Sequence, residues 1–179
     1  MLSRRRFIQV GLVGGAVLVA VRAAYGPFSS DPSIPEDPEF NYLALNIRDR
    51  TIVAAVSPVM LAGALPEDAA GREHALMQVI RGVDTAVSGL PSAVQDEVAQ
   101  LFALLGFPVT RRIVAGVTAP WLRAKPEQIS AFLERWRSSR FALLRSGYRG
   151  LQELIMAAWY GAEAAWPRIG YPGPPALTK

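Results

Sequence analysis

Apolar residues in the middle of the chain recur with the period of an α-helix. Three consecutive segments show intervals of three and four residues: Ile52, Val56, Val59 and Met60; then Leu76, Val79, Ile80, Val83 and Val87; then Val94, Val98, Leu101, Phe102 and Leu105. This spacing places the apolar side chains of each segment on one helical face. We therefore predict three amphipathic helices here, the first of them bent at Pro58.

The second half of the chain continues the helical pattern. A short helix is predicted from Thr110 to Val117, and a long helical stretch begins at Pro126. Its apolar positions are Ile129, Phe132, Leu133 and Trp136, followed by Leu144, Tyr148, Leu151, Ile155 and Trp159. A break near residues 138–140 is favoured over one continuous helix. No segment alternates strictly between apolar and polar residues, so the fold class is all-α, an irregular bundle of five or six helices after an N-terminal signal helix and a Pro-rich linker.

The first 24 residues have the three-part composition of an export signal. A charged start is followed by an apolar stretch, residues 10–21, which contains three glycines, and Val21-Arg22-Ala23 is a candidate cleavage site. Since Arg22 is unusual at such a junction, cleavage and an uncleaved membrane tether both stay open.

The charged start, Ser3-Arg4-Arg5-Arg6-Phe7-Ile8-Gln9, resembles the twin-arginine consensus. In that route a receptor reads two adjacent guanidinium groups and an aromatic side chain, which here are Arg4, Arg5 and Phe7. The alternatives are an ordinary secretory signal and a short membrane anchor. The motif predicts export of an already folded domain to the periplasm.

Residues 25–45 form a predicted linker, because Pro27, Pro32, Pro35 and Pro38 oppose regular helix. A disordered spacer is favoured over a segment that wraps a partner. The helical domain is then expected over residues 46–166, with a Pro-rich tail over residues 167–179.

The basic charge of the chain belongs to its signal. The formal net charge is +4 for 179 residues, with 19 basic and 15 acidic side chains. Without Arg4, Arg5, Arg6 and Arg22, the remaining 15 basic residues balance the 15 acidic ones. A neutral domain offers no electrostatic reason to bind nucleic acid. The chain also has no cysteine, which excludes disulfides, thiolate metal ligands and cysteine nucleophiles.

Candidate chemistry is sparse. His74 is the only histidine and is read as a surface or capping residue, and the pairs Glu67-Asp68 and Asp96-Glu97 are read as structural. No Gly-x-Ser-x-Gly elbow is present. We therefore predict that the chain is not an enzyme and holds no cofactor or metal of its own. A further group of arginines is interpreted as a solvated face, ahead of a site for an anionic partner or lipid surface: Arg135, Arg137, Arg140, Arg145 and Arg149.

Aromatic residues beside prolines stand out at the C-terminus. Rigid aromatic side chains of this kind are typical of protein interfaces. We predict a partner interface formed by Trp159, Tyr160, Trp166, Tyr171 and Pro172. Closure of the bundle core by Trp159 and Trp166 is the alternative.

The layout of the chain is similar to the small subunit of membrane-associated FAD-dependent dehydrogenases, the family named for gluconate 2-dehydrogenase subunit 3. The resemblance is carried by the signal motif, the Trp159-Tyr160-Gly161 helix end and the Gly170-Tyr171-Pro172-Gly173 tail. It implies a non-catalytic subunit that assists the maturation of a flavoprotein dehydrogenase of the glucose-methanol-choline type. That partner lacks a signal, carries the FAD, and would pass through the twin-arginine translocon with this chain. The competing hypothesis is a free-standing periplasmic helical protein that binds a lipid or another apolar ligand.

Overall fold

The computed structural model describes residues 31–163 together with positions 165, 166, 170 and 172. The predicted signal, residues 1–24, lies outside these residues, as does most of the predicted tail. The described part contains six α-helices and no strand, so the all-α prediction is confirmed for it. The helices are α1 (Ile47–Met60), α2 (Ala69–Ser88), α3 (Ser92–Gly106), α4 (Pro108–Thr110), α5 (Pro126–Arg137) and α6 (Ala142–Tyr160).

Helix α1 lies at the centre of the bundle and packs against α2, α3, α5 and α6. It begins at Asn46, whose side chain accepts from the backbone N–H groups of Arg48 and Asp49, while the Asp49 carboxylate accepts from the Asn46 N–H. This reciprocal capping satisfies donors that the first turn of a helix otherwise leaves free. The predicted apolar stripe is buried at Ile52 and Val56, and Pro58 lies inside the helix as expected.

The most extensive helix pair is α2 with α6. The two backbones approach closely at Gly82, where a methyl group would lie 2.9 Å from the Ala158 side chain. The apolar stripe of α6 is buried at Leu151, Ile155 and Trp159. Because Gly82 has no side chain, the helices can pack close enough to enclose this stripe.

The chain breaks between α5 and α6, as the sequence favoured. Helix α5 ends at Arg137, where the Ser138 hydroxyl donates to the carbonyl of Glu134, and α6 begins at Ala142. A serine that bonds back to the preceding turn competes with helix continuation. Two helices therefore replace one and pack against each other.

The predicted short helix over Thr110–Val117 differs from the observed structure. An α-helical turn, Pro108–Thr110, runs into a π-helical segment, Arg111–Ala115, and Gly116 ends it with a left-handed φ of 66°. Trp136 donates from Nε1 to the carbonyl of Val114 at 3.1 Å. Its ring stacks edge-to-face on Phe132, which contacts Trp121 of the 3-10 turn Trp121–Arg123 in the same way.

The predicted spacer over residues 25–45 is corrected for residues 32–45, which belong to the compact helical unit that was expected to begin at residue 46. Residues 25–30 lie outside the described part of the chain. Leu45 is buried in the core, with 4% of its surface exposed. Residues 34–45, called the arm below, lie against α1 and α2 through hydrogen bonds and ion pairs. As its composition predicted, residues 34–45 contain no helix, but the charged side chains that bind this segment lie as far as 44 positions away.

Candidate functional site

The arm is held mainly by one buried carboxylate. Asp84 of α2 is 1% exposed and accepts three consecutive backbone N–H groups, from Leu43 at 3.0 Å, Ala44 at 2.9 Å and Leu45 at 2.7 Å. Hydrogen bonds to a carboxylate are stronger than those between neutral groups. These three backbone donors of the arm are thus satisfied by an acid on the bundle instead of by water.

An ion pair fixes the arm further toward its start. Arg81, one turn before Asp84, donates from Nε and Nη2 to the two oxygens of Asp37, both at 2.9 Å. The Tyr42 hydroxyl donates to the same carboxylate at 2.9 Å. The guanidinium of Arg81 is the main cause that lowers the pKa of Asp37 below 3.8, whereas burial is the main cause that raises the pKa of Tyr42 above 10.0.

Helix α1 adds a third attachment. Arg50 lies over the Tyr42 ring, with its guanidinium carbon 4.1 Å from the ring centroid, and donates to Glu36 at 3.1 Å. The Ile34 N–H donates to Thr51 Oγ1 at 3.2 Å. Sequence reasoning missed this whole arrangement. Its only local signal is the density of polar and aromatic residues among the prolines.

Two of the polar residues singled out in the sequence, Asp68 and His74, have local partners in the structure. No group of three or more metal-ligating side chains occurs in the described part of the chain. Asp68 accepts from the Gly71 N–H and caps α2, as the structural interpretation predicted. His74 is exposed and lies 3.0 Å from Gln78 Nε2 one turn along the helix. Both residues therefore serve local structure.

One cavity of about 250 Å³ lies beside the connection between α1 and α2. Its walls include Leu61 and Leu65, but also Glu67 and Arg72. Ligand pockets are typically about 300–1,000 Å³ and mostly apolar. This cavity is too small and too polar to favour the apolar-ligand hypothesis.

The structure separates the residues that we predicted for a partner interface. Trp159 is 1% exposed and belongs to the core, so it presents no free edge at the surface. Tyr160 beside it is 40% exposed, Trp166 is half-buried and Pro172 is exposed. Tyr171 lies outside the described residues, as do Arg4, Arg5 and Phe7 of the signal. Tyr160 and Pro172 are thus the surface-exposed members of the set among those described.

Charge is segregated along the domain, although its sum is near zero. Residues 31–97 carry 11 acidic and 4 basic side chains, whereas residues 98–152 carry 2 acidic and 9 basic ones. This asymmetry was visible in the sequence, but a balance taken over the whole domain hides it. The asymmetry divides the domain into an acidic part, residues 31–97, which includes the arm, and a basic part, residues 98–152.

The basic part contains an exposed corner, which we call the arginine corner. It comprises the apolar residues Ile113, Phe141 and Leu143, which are 77%, 55% and 59% exposed, and the exposed arginines Arg112, Arg137 and Arg140. The guanidinium carbon of Arg140 lies 4.8 Å from the centroid of the Phe141 ring.

Three elements meet beneath the arginine corner at Trp136. The π-helical segment accepts hydrogen bonds from the last turn of α5, through Trp136 Nε1 and through Arg135 to the carbonyl of Ala115 at 3.2 Å. The second turn of α6 touches the same ring, since a methyl group at Gly147 would lie 2.6 Å from it. Segments 22 residues apart in the sequence therefore meet at Trp136.

No single helix in the described part of the chain is long and apolar enough to cross a membrane. Helix α3 together with residues 108–115 has the necessary length and composition, but the pair is bent by 75°.

Comparison with known proteins adds no assignment: no family model, curated protein or solved structure matches the chain. The resemblance to the dehydrogenase small subunits therefore stays a prediction that rests on the motifs quoted above.

Proposed function

We propose that this chain is a non-catalytic small subunit that accompanies a flavoprotein dehydrogenase through twin-arginine export and assists its maturation. The observation that carries the proposal is the signal motif with Arg4, Arg5 and Phe7, placed before an all-helical domain. The signal would direct both proteins to the periplasm, and the FAD would belong to the partner.

Two features of the described residues support an accessory role. They contain no group of three or more metal-ligating side chains, and Asp68 and Asp37 are used in a helix cap and an ion pair. Tyr160 is exposed next to the core residue Trp159, which is the arrangement of a rigid anchor at a protein interface. The interface that we propose therefore centres on Tyr160, Trp166, Tyr171 and Pro172.

Export of the partner in trans is the first test. Lysine retains the positive charge of arginine but lacks its planar guanidinium. Replacement of Arg4 and Arg5 by Lys in this chain should leave the co-expressed flavoprotein in the cytoplasm, although the flavoprotein itself is unchanged. Fractionation with a flavin-specific absorbance assay measures the result. Undiminished flavoprotein in the periplasm would refute the escort function.

The interface is tested separately by affinity capture of the flavoprotein. Truncating a central aromatic anchor typically costs about 2 kcal/mol or more, which is roughly thirtyfold in affinity. Tyr160→Ala, Tyr171→Ala and removal of residues 167–179 should each reduce recovery of flavin-loaded partner. Leu43→Ala is the matched control, since Leu43 is 74% exposed but lies on the arm. Equal recovery in all variants would remove the C-terminal residues from the interface.

A further inference from the structure

We propose that the arginine corner docks on an anionic lipid surface. This inference does not depend on the flavoprotein partner. It follows from the exposure, spacing and charge of the residues that surround Trp136.

The apolar residues of the corner are exposed to solvent and are therefore accessible to a lipid bilayer. Phe141 and Leu143 are more than half exposed and lie at the turn from α5 to α6, and Ile113 lies in the π-helical segment. Large apolar side chains on exposed turns lose contact with water when they enter the boundary between headgroups and acyl chains. Each such residue adds to the affinity without any change of the fold.

Arginines stand directly beside these apolar residues, in the pairs Arg112-Ile113 and Arg140-Phe141. At a membrane, the guanidinium group stays among the headgroups while the neighbouring side chain inserts more deeply. The alternation of arginine and apolar residues is therefore the arrangement that a lipid surface accommodates.

The sign of the charge selects anionic lipid. Residues 135–152 contain five arginines and no carboxylate, so nothing in this segment repels a negative headgroup. Arg137 is paired with Glu134 at 2.8 Å, but both side chains are more than half exposed, and water screens such a pair. The acidic side chains of the domain are concentrated in residues 31–97 instead. A basic residue near an anionic membrane increases binding about fivefold.

A fluorescent probe at one position can test the contact in the full chain. The natural chain contains no cysteine, so Leu143→Cys can be labelled alone with an environment-sensitive fluorophore. Leu43→Cys is the matched control, because Leu43, at 74%, is at least as exposed as Leu143, at 59%, but lies on the acidic arm. The basic signal segment is common to both proteins, so any lipid binding that it causes does not distinguish them.

Vesicles that contain phosphatidylglycerol should shift the emission of the label at position 143 to the blue, and spin-labelled lipid should quench it. The label at position 43 should not respond, and neither label should respond to pure phosphatidylcholine. Arg140→Gln should lower the vesicle affinity about fivefold, and Phe141→Ser about tenfold. Arg72→Gln, an exposed arginine on α2, should leave the affinity unchanged. Circular dichroism checks that each variant is folded.

Two results would overturn the proposal. In the first, the protein sediments with anionic vesicles while the label at position 143 stays in water, which assigns all binding to the signal segment. In the second, the label responds to the co-expressed flavoprotein and not to vesicles, which makes the corner a protein interface.

Discussion

Replacing Asp84 tests whether the arm is part of the folded domain. Asp84→Ala removes a buried carboxylate and leaves the N–H groups of Leu43, Ala44 and Leu45 without their acceptor. The alanine itself fits α2, because it is a strong helix former. The effect of the substitution therefore reports on the arm.

The magnitude follows from the three hydrogen bonds and from the freedom of the arm to separate. Hydrogen bonds to charged groups contribute about 1.5–3 kcal/mol each. The full sum is not lost, since the arm can lift from the bundle and let water bind its N–H groups. Lifting also exposes Leu45, whose burial is worth about 1.5–3 kcal/mol. We expect the free energy of unfolding to fall by about 3 kcal/mol, which lowers Tm by about 6–12 °C for a domain of this size.

Amide hydrogen exchange is the direct assay, with urea denaturation as the measure of stability. In the wild type the amides of Leu43, Ala44 and Leu45 should be protected, and in Asp84→Ala they should exchange much faster than the amides of α1. Asp96→Asn removes the same charge at an exposed position of α3 and should change neither measurement. Unchanged protection of the three amides in Asp84→Ala would refute the role given to this carboxylate.

Three further predictions concern an ion pair of the arm, two glycines of the domain and its N-terminal limit. Because its pKa is lowered in the folded state, Asp37 stabilises the arm fully above about pH 4, and this contribution is lost as the pH falls through the lowered pKa. Amide protection of the arm measured against pH should show this loss, and Asp37→Asn should reduce the pH dependence by the part that Asp37 causes. Gly116→Ala should lower Tm, because the left-handed φ of 66° disfavours a side chain and a guanidinium group occupies the space. Gly150→Ala, at an open position in α6, should instead raise the free energy of unfolding by about 0.5–1 kcal/mol. An unchanged Tm in Gly116→Ala would contradict this account. A chain that begins at Phe40 should keep its helical circular dichroism in chelator and in reductant. It should unfold at a lower urea concentration than a chain that begins at Pro32. Equal urea midpoints for the two chains would show that residues 32–39 do not contribute to stability.

The break between α5 and α6 shows what local sequence can determine. Ser138 bonds to the carbonyl four residues before it, and the apolar pattern shifts across the same point. Both signals lie within one turn of the break, so periodicity and composition were enough to favour two helices. The capping function of Asp68 is local in the same sense, since its acceptor bond spans three residues.

The arm shows what local sequence could not determine. Its prolines opposed regular helix, and the arm contains no helix, but Asp84 and Arg81 decide that it lies on the bundle. These partners lie 39 to 44 positions further along the chain. A hydrophobic pattern carries no information about which distant carboxylate will accept a free N–H group. For a related reason the sequence did not decide whether Trp159 lies in the core or at an interface, because its position on the helix allowed both.

By itself, the amino-acid sequence determined the helical class, the approximate helix limits and the signal motif, because each depends on residues within a few turns of one another. It also contained the charge asymmetry and the cluster of arginines. Only the tertiary structure decided that the arm joins the domain, that Trp159 is buried, and that the π-helical segment meets the last turn of α5 at Trp136. Those outcomes depend on which elements pack together, and packing is selected by the shape and burial of the whole domain, not by any single segment.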